Sequence, residues 1–199
     1  MSPFIETIRI ENGQIHNLPY HNRRMNETRR DVLHQTGFLD LSDCIQPGDY
    51  RERTKCRVEY DKDILKVEYA SYHIRPVSSL RLVADDEADY RYKSTDRSVL
   101  NRLFNLRETE DDVLIVRRGW LTDTSICNIA LWNGKQWITP SVPLLAGTKR
   151  ASLLDRGEMV AGDIRPEDLP SYSRIRLFNA MIEFGEIDLS VDKIVLWLK

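Results

Sequence analysis

GWLTDTSICNIALWNG, residues 119–134, is the stretch whose reading decides the fold. Gly119 opens it, the polar Thr122, Asp123 and Thr124 follow, and Ile126 to Trp132 then form an apolar run that contains one amide, Asn128. The run reads as a buried strand, Asn133-Gly134 as a two-residue hairpin signal, and Gln136 to Thr139 as the antiparallel partner. Upstream, Val113 to Val116 has the uninterrupted apolar character of another buried strand, and Leu80 to Val83 is a third, followed by an acidic loop over Asp85 to Asp89. Between them, Thr95 or Asp96 is placed to cap a helix with the stripe Val99, Leu100, Leu103 and Phe104, which puts Lys93 on a loop just before that helix. Downstream, a short helix starts near Thr148, another element covers Arg174 to Phe178, and Val191 to Leu198 reads as a closing strand.

Farther out lies a smaller lobe. Phe4 to Ile10 alternates as a strand does, Asn12-Gly13 is a type I′ turn signal, and Gln14 to Leu18 returns. Pro19 to Gln35 changes to helical spacing, with Met25, Val32 and Leu33 on one stripe and Gly37 as the stop. Cys56, Val58 and Tyr60, then Leu65, Val67 and Tyr69, form two period-2 runs around Asp61-Lys62-Asp63 and make a second hairpin. Pro76 to Ser79 is the boundary, giving a small α/β lobe over residues 1–76 and a strand-rich lobe over 77–199 in an α+β fold.

Composition narrows the function classes. With 41% hydrophobic residues in 199, a packed core is affordable, and 29 basic against 31 acidic side chains, interspersed, imply no electropositive face for nucleic acid. No apolar run approaches the roughly 20 residues that cross a bilayer, and the first residues do not look like a signal peptide, so no membrane partner and a cytoplasmic location are expected. Cys44, Cys56 and Cys127 form no close pair, which argues for reduced thiols, with Cys56 and Cys127 packed. His16, His21, His34 and His73 lack helical ligand spacing, so no metal site is expected, and no Gly-rich phosphate loop or Gly-x-Ser-x-Gly elbow is present. What remains is a series of polar residues at turns in apolar surroundings: Lys93, Asp123, Asn128, Thr139-Pro140, and Gly147-Thr148-Lys149-Arg150. Each alone has a structural reading. Lys93 reads as a solvated loop lysine, Arg24 as part of the wet helix face Arg23-Arg24…Arg29-Arg30, Asp123 as a turn former, Asn128 as a bond to a neighbouring loop, and Gly147 as a turn or N-cap.

Taken in order, these segments resemble the class IV aminotransferases. Phe4-Ile5-Glu6-Thr7-Ile8-Arg9 with Asn12-Gly13 is similar to the family's Phe-Glu-Thr-x-Arg…Gly opening, and His21-Asn22-Arg23-Arg24 to its His-x-x-Arg helix start. Lys93 with Arg97 is similar to the Lys-x-x-x-Arg of the lyase branch, and Gly119 to Asp123 followed by Asn128 to Gly-x-x-Thr-Glu…Asn. Thr139-Pro140 with Leu145 to Arg150, and Asn179-Ala180-Met181, match two further family segments. The resemblance implies PLP fold type IV, the fold of D-amino acid aminotransferase, and pyridoxal 5′-phosphate (PLP) as cofactor. Lys93 is then the catalytic lysine, covalently joined to PLP and moving protons at the substrate's α-carbon. Asp123 is the carboxylate against the pyridine nitrogen, where the family has Glu, one methylene longer. Arg24, the backbone at Gly147 and Thr148, and the Asn179 amide would hold the phosphate. Glu6 and Thr7 match the family's Glu-Thr pair without an assigned role.

The resemblance also implies a small-molecule amino substrate, its carboxylate met by Arg75 or Arg97, and a homodimer, to whose surface Trp120, Trp132 and Trp137 would contribute. The leading activity is 4-amino-4-deoxychorismate lyase, releasing pyruvate to leave 4-aminobenzoate for folate biosynthesis, on the strength of Arg97 and Asn179-Ala180-Met181. A branched-chain or D-amino acid transaminase is the alternative, although that branch carries a tyrosine where this chain has Ser98. A PLP-binding protein without turnover is the third reading, raised by Asp123 and by a first lobe short of the family's Tyr-Gly-Asp-Gly segment.

Overall fold

In a computed structural model describing residues 2–48 and 50–196, the alternating pattern of the first lobe becomes a four-stranded antiparallel sheet covered by one helix. Strands β1 (Phe4–Glu11) and β2 (Gln14–Ile15) form the expected hairpin, with Asn12 and Gly13 at φ of 51° and 71° as a type I′ turn needs. Helix α1 (Leu18–Leu33) follows, then β3 (Thr54–Tyr60) and β4 (Ile64–Ser71), and the sheet order is β2-β1-β3-β4. Phe4, Ile8 and Ile10 from β1 and Cys56, Val58 and Tyr60 from β3 share one buried face with Met25 of α1.

Three local expectations change. The helix stops at Leu33 through His34, whose φ of 56° reverses the chain before Gly37 is reached. A register shift at Glu59/Tyr60 puts Ile64 in the inward phase and leaves Leu65 50% exposed, so the expected inward run starts one residue earlier. The arginine run is not uniformly wet either. Arg23 and Arg30 are exposed, whereas Arg29 is buried and donates to the Lys62 and Gly37 carbonyls, tying the helix to the β3–β4 turn.

The second unit is built on β5 (Leu80–Ala84), helix α2 (Ser98–Phe104), β6 (Asp112–Arg117), β7 (Trp120–Thr124), β8 (Asn128–Trp132), β9 (Trp137–Pro140), helix α3 (Thr148–Asp155), β10 (Val160–Gly162), β11 (Arg174–Phe178), β12 (Ile187–Ser190) and β13 (Ile194–Val195). The path through its sheet is β10-β9-β8-β7-β6-β5-β13, with β11 pairing both β8 and β12. Parallel β5 and β6 are buried, as their apolar runs require, and antiparallel strands make up the middle. Cys127 packs here and Cys56 in the first unit, both as reduced thiols.

Here too the sequence expectations are adjusted. The β8–β9 connection is four residues long, closing on Trp132 opposite Trp137, because the Asn133 side chain accepts from the Lys135 and Gln136 N–H groups. Neither Thr95 nor Asp96 caps α2. Its N-cap is Arg97, and the Thr95 hydroxyl donates to the Pro3 carbonyl. The closing strand shrinks to Ile194–Val195 after a 3₁₀ turn over Val191–Lys193, and residues 197 and 198 of the expected span lie outside the described residues. The tryptophan rings meet arginines of their own unit: Arg165 lies over Trp120 and Arg176 over Trp137.

Contacts divide the chain into Met1–Ile74 with Tyr92–Asp96, and Arg75–Arg91 with Arg97–Lys199. The segment that carries Lys93 therefore goes with the first unit, not with the second as a single cut after residue 76 expects.

Candidate active site

The first unit gathers charge at one place on an otherwise apolar face. Residues 4, 6, 8 and 10 of β1 point the same way, so period 2 drives Glu6 into the core between Phe4 and Ile8, with no exposed surface. Helix α1 lays His21 and Arg24 over it, three residues apart and hence on one helix face. Arg24 donates from Nε to Glu6 Oε1 at 2.9 Å and from Nη2 to Oε2 at 2.6 Å, a two-pronged pair, and His21 Nδ1 lies 2.6 Å from Oε2. Burial pushes the Glu6 carboxyl up, but the Arg24 charge and the bonds from His21 and Arg24 reverse this and hold it at about 2. Burial lowers His21, and the positive charges of Arg24 and Lys93 act the same way, against the pull of Glu6. An ionised carboxylate only accepts, so Nδ1 carries the proton and Nε2 the lone pair of a neutral ring.

Lys93 is half-buried and is held by its backbone rather than left on an open loop. Its carbonyl accepts from Ile5 N–H at 2.8 Å, Ser94 bridges Phe4, and Thr95 N–H donates to Pro3 at 2.8 Å, so residues 93–95 are clipped onto the start of β1, within three residues of Glu6. Lys93, Arg24, His21 and Glu6 thus share one unit and one edge of its sheet.

In the second unit, β7 and β8 place Asp123 directly opposite Asn128. The turn between them is set by Thr124, whose Oγ1 accepts from Cys127 N–H at 3.0 Å. Asn128 Nδ2 donates to Asp123 Oδ1 at 2.8 Å and to the Leu145 carbonyl at 2.9 Å, and Leu145 N–H donates to Asp123 Oδ2 at 2.8 Å. Asp123 is 5% exposed, and its bonded donors are neutral. Arg150 spends its guanidinium on Thr139 Oγ1 and the Pro140 carbonyl and acts on Asp123 through charge alone. Burial therefore wins and pushes the Asp123 carboxyl up to about 6. Two residues past Leu145, Gly147 is the N-cap of α3, and a Cβ there would fall 1.9 Å from Asn128 Oδ1. Thr148, the first residue of α3, is buried.

The class IV amino-transferase family matches residues 56–188 of the chain. The chain belongs to that family. A crystal structure from Haemophilus somnus 129pt, of a protein provisionally named 4-amino-4-deoxychorismate lyase, is 35% identical, covers 92% of this chain and 97% of its own, and superposes with a TM-score of 0.85. A Schizosaccharomyces pombe protein provisionally named aminodeoxychorismate lyase is 32% identical, covering 86% of this chain and 83% of its own. A Mycobacterium tuberculosis aminotransferase described as hypothetical, solved in a PLP-bound form, is similar in fold, with 15% identity, a TM-score of 0.76, and coverage of 97% of this chain and 81% of its own. The fold is that of the PLP-dependent class IV enzymes, and the chain is a PLP-dependent enzyme of this type.

Within this class IV chain, two of the residues expected at the site, Asn179 and Arg75, are bound elsewhere, and Arg97 is engaged in part. Asn179 Nδ2 donates to the Ile126 carbonyl and to Cys127 Sγ, while its Oδ1 accepts from Met181 and Ile182 N–H, so the oxygen shapes the 179–182 turn and the nitrogen ties that turn to residues 126 and 127 instead of to a phosphate. Arg75 donates to the Asp111 carbonyl and, at 2.7 Å, to the carboxylate of buried Asp112, and its guanidinium lies over Phe104. It neutralises Asp112. Arg97 lies over Tyr90 and gives one N–H, at 2.8 Å, to the carbonyl of Ser125, a residue of the turn that follows Asp123.

Sequence reading gave too little weight to four residues. Glu6 announces itself as the one charge in the inward phase of β1, and His21 as its helical partner. Asn128 is the amide inside a buried strand, and Lys149, 6% exposed, pairs with Glu183 in the first turn of α3.

Proposed function

We propose that the chain is a 4-amino-4-deoxychorismate lyase, which removes pyruvate from its substrate and leaves 4-aminobenzoate, a step of folate biosynthesis. The observation that carries the PLP reading is Asp123, a buried carboxylate held by neutral donors and pushed up to about 6, whose charge a cationic ring nitrogen would complete. The turn at Gly147 and Thr148 supports it, since it opens α3 and the N–H groups of a helix start suit a phosphate. The lyase assignment is supported by two provisionally named relatives above 30% identity.

The residues present fit PLP. Asp123 would hold the ring nitrogen in its protonated form; Gly147, Thr148 and Arg24 would hold the phosphate; and Lys93 would carry the covalent attachment. Bound in this way, PLP withdraws electrons from the substrate's α-carbon. The chain's own groups then do the rest. Lys93 takes the proton from that carbon, the C–O bond to the enolpyruvyl group breaks as the substrate ring becomes aromatic, and the departing enolpyruvate takes up a proton to become pyruvate. Glu6 keeps Arg24 in place, and Arg97, with N–H groups beyond its bond to Ser125, receives a substrate carboxylate. The reading includes a homodimer and a cytoplasmic enzyme. The second is supported by three free cysteines, and among the described residues no helix is long and apolar enough to cross a membrane.

Adding PLP to the purified protein should give a visible absorbance band that borohydride fixes irreversibly and that Lys93→Ala lacks. With the band established, release of pyruvate from 4-amino-4-deoxychorismate identifies the lyase. Amino-group transfer from a branched-chain or D-amino acid to 2-oxoglutarate, without pyruvate release, would replace it with a transaminase, and a band with neither reaction would leave a PLP-binding protein.

A further inference from the structure

The proposed site has its ring-nitrogen carboxylate on β7 and its phosphate turn at the start of α3, 24 residues later in the chain. Asn128 touches both. Its two partners on the nitrogen side, Asp123 Oδ1 and the Leu145 carbonyl, are acceptors, so Nδ2 must face them and Oδ1 is turned the other way. That oxygen occupies the position that a Cβ on residue 147 would take, 1.9 Å from it. At φ −69° and ψ 142° any residue could adopt the Gly147 backbone, so the glycine is required by the closeness of Asn128 and not by its torsion angles. Leu145 closes the arrangement: its N–H holds Asp123 Oδ2 while its C=O holds Asn128, so Asp123, Asn128 and residue 145 form a ring of three hydrogen bonds two residues before the turn.

We propose that Asn128 is a positioning residue that fixes the Asp123 carboxylate and the Gly147-Thr148 turn as one rigid piece, and so sets the separation between the ring-nitrogen contact and the phosphate contact for PLP. This rests on the PLP reading above. A residue that only filled the core would affect folding but not the spacing of two cofactor contacts. Asn128 controls both because one planar amide bonds through its nitrogen on one side and blocks with its oxygen on the other.

The test compares the PLP dissociation constants, by absorbance and fluorescence titration, of the full-length wild type, Asn128→Ala, Gly147→Ala and the double variant, with apoprotein melting temperatures alongside. Leaving a buried acceptor unpaired weakens an interaction by about tenfold, so Asn128→Ala should raise the dissociation constant by at least about that factor and shift the pH midpoint of the visible band. Gly147→Ala should do the same by pushing the amide aside. The double variant should be no worse than Gly147→Ala, because the clash has lost one of its partners. Multiplying losses, near about a hundredfold in the double variant, would mean the two positions act independently and would overturn the proposal. So would an Asn128→Ala protein that melts lower but binds PLP as wild type does. If Asn128→Ala does not fold, Asn128→Ser, too short to reach Asp123, carries the same comparison. Wild type that binds no PLP overturns the functional reading and this inference together, whereas wild-type binding with an indifferent Asn128 variant overturns this inference alone.

Discussion

Glu6 in the first unit and Asp123 in the second are both buried carboxylates with each oxygen held by a donor, yet their proton affinities move in opposite directions, to about 2 and about 6. Burial raises both. The difference lies in the partners: Glu6 has a guanidinium bonded to both oxygens and a histidine besides, whereas Asp123 has an amide and a backbone N–H, with Arg150 contributing charge but no bond. The same core environment thus yields a finished ion pair in one unit and an unfinished one in the other. A finished pair is scaffold and holds Arg24 still. An unfinished one is open to a cation, as the proposed PLP site requires, and the family to which the chain belongs is PLP-dependent.

The strongest way to break the contrast is to remove the two charges isosterically. Glu6→Gln strands the Arg24 guanidinium beside a buried amide and should cost about 3–5 kcal/mol of unfolding free energy in urea titrations. Asp123→Asn should leave stability within about 1 kcal/mol of wild type at pH 7, because the relief of burying an unpaired charge offsets one mismatched hydrogen bond, while PLP binding is lost. Equal destabilisation by the two would end the distinction.

The pH dependence of stability sharpens the same contrast. The folded chain binds fewer protons than the unfolded chain at Glu6, so its stabilisation, about 3 kcal/mol, is present above pH 4.5 and lost as pH falls towards 2. At Asp123 the folded chain binds more, so about 3 kcal/mol present below pH 3.8 is lost as pH rises through 6. Urea midpoints measured from pH 3 to 8 should therefore show the acid limb flattened in Glu6→Gln and the decline between pH 4 and 6 flattened in Asp123→Asn. The smallest effect belongs to Arg150→Gln, which removes a charge that lowers Asp123 from a distance and should move its midpoint up by less than about one unit, read by carboxyl NMR.

Regular elements with strong periodicity were legible in the sequence: the hairpin from Phe4 to Ile15, α1, and the buried strands β5, β6 and β8 all form at their patterns, with α1 ending two residues and β8 starting two residues inside the expected span. What could not be read was set by tertiary bonds. The Glu59/Tyr60 register shift, the Asn133 side chain that widens the β8–β9 loop, and Thr95 turning to Pro3 instead of capping α2 each depend on a partner that spacing does not reveal. The site divides in the same way. Lys93, Arg24, Asp123 and Gly147 were visible through ordered motifs, and Glu6 through its phase on β1. That the Asn179 donor is taken by Ile126 and Cys127, and Arg75 by Asp112, follows only from hydrogen bonds made in the folded chain.

The most direct test follows the Asp123 carboxyl by ¹³C NMR across pH, with Asp123→Asn for assignment, in the free protein and after PLP is added. The account predicts a midpoint near 6 without PLP that falls below about 4 with it, as a cationic partner dictates. A midpoint that starts near that of an exposed aspartate, or that stays in place when PLP binds, would contradict it.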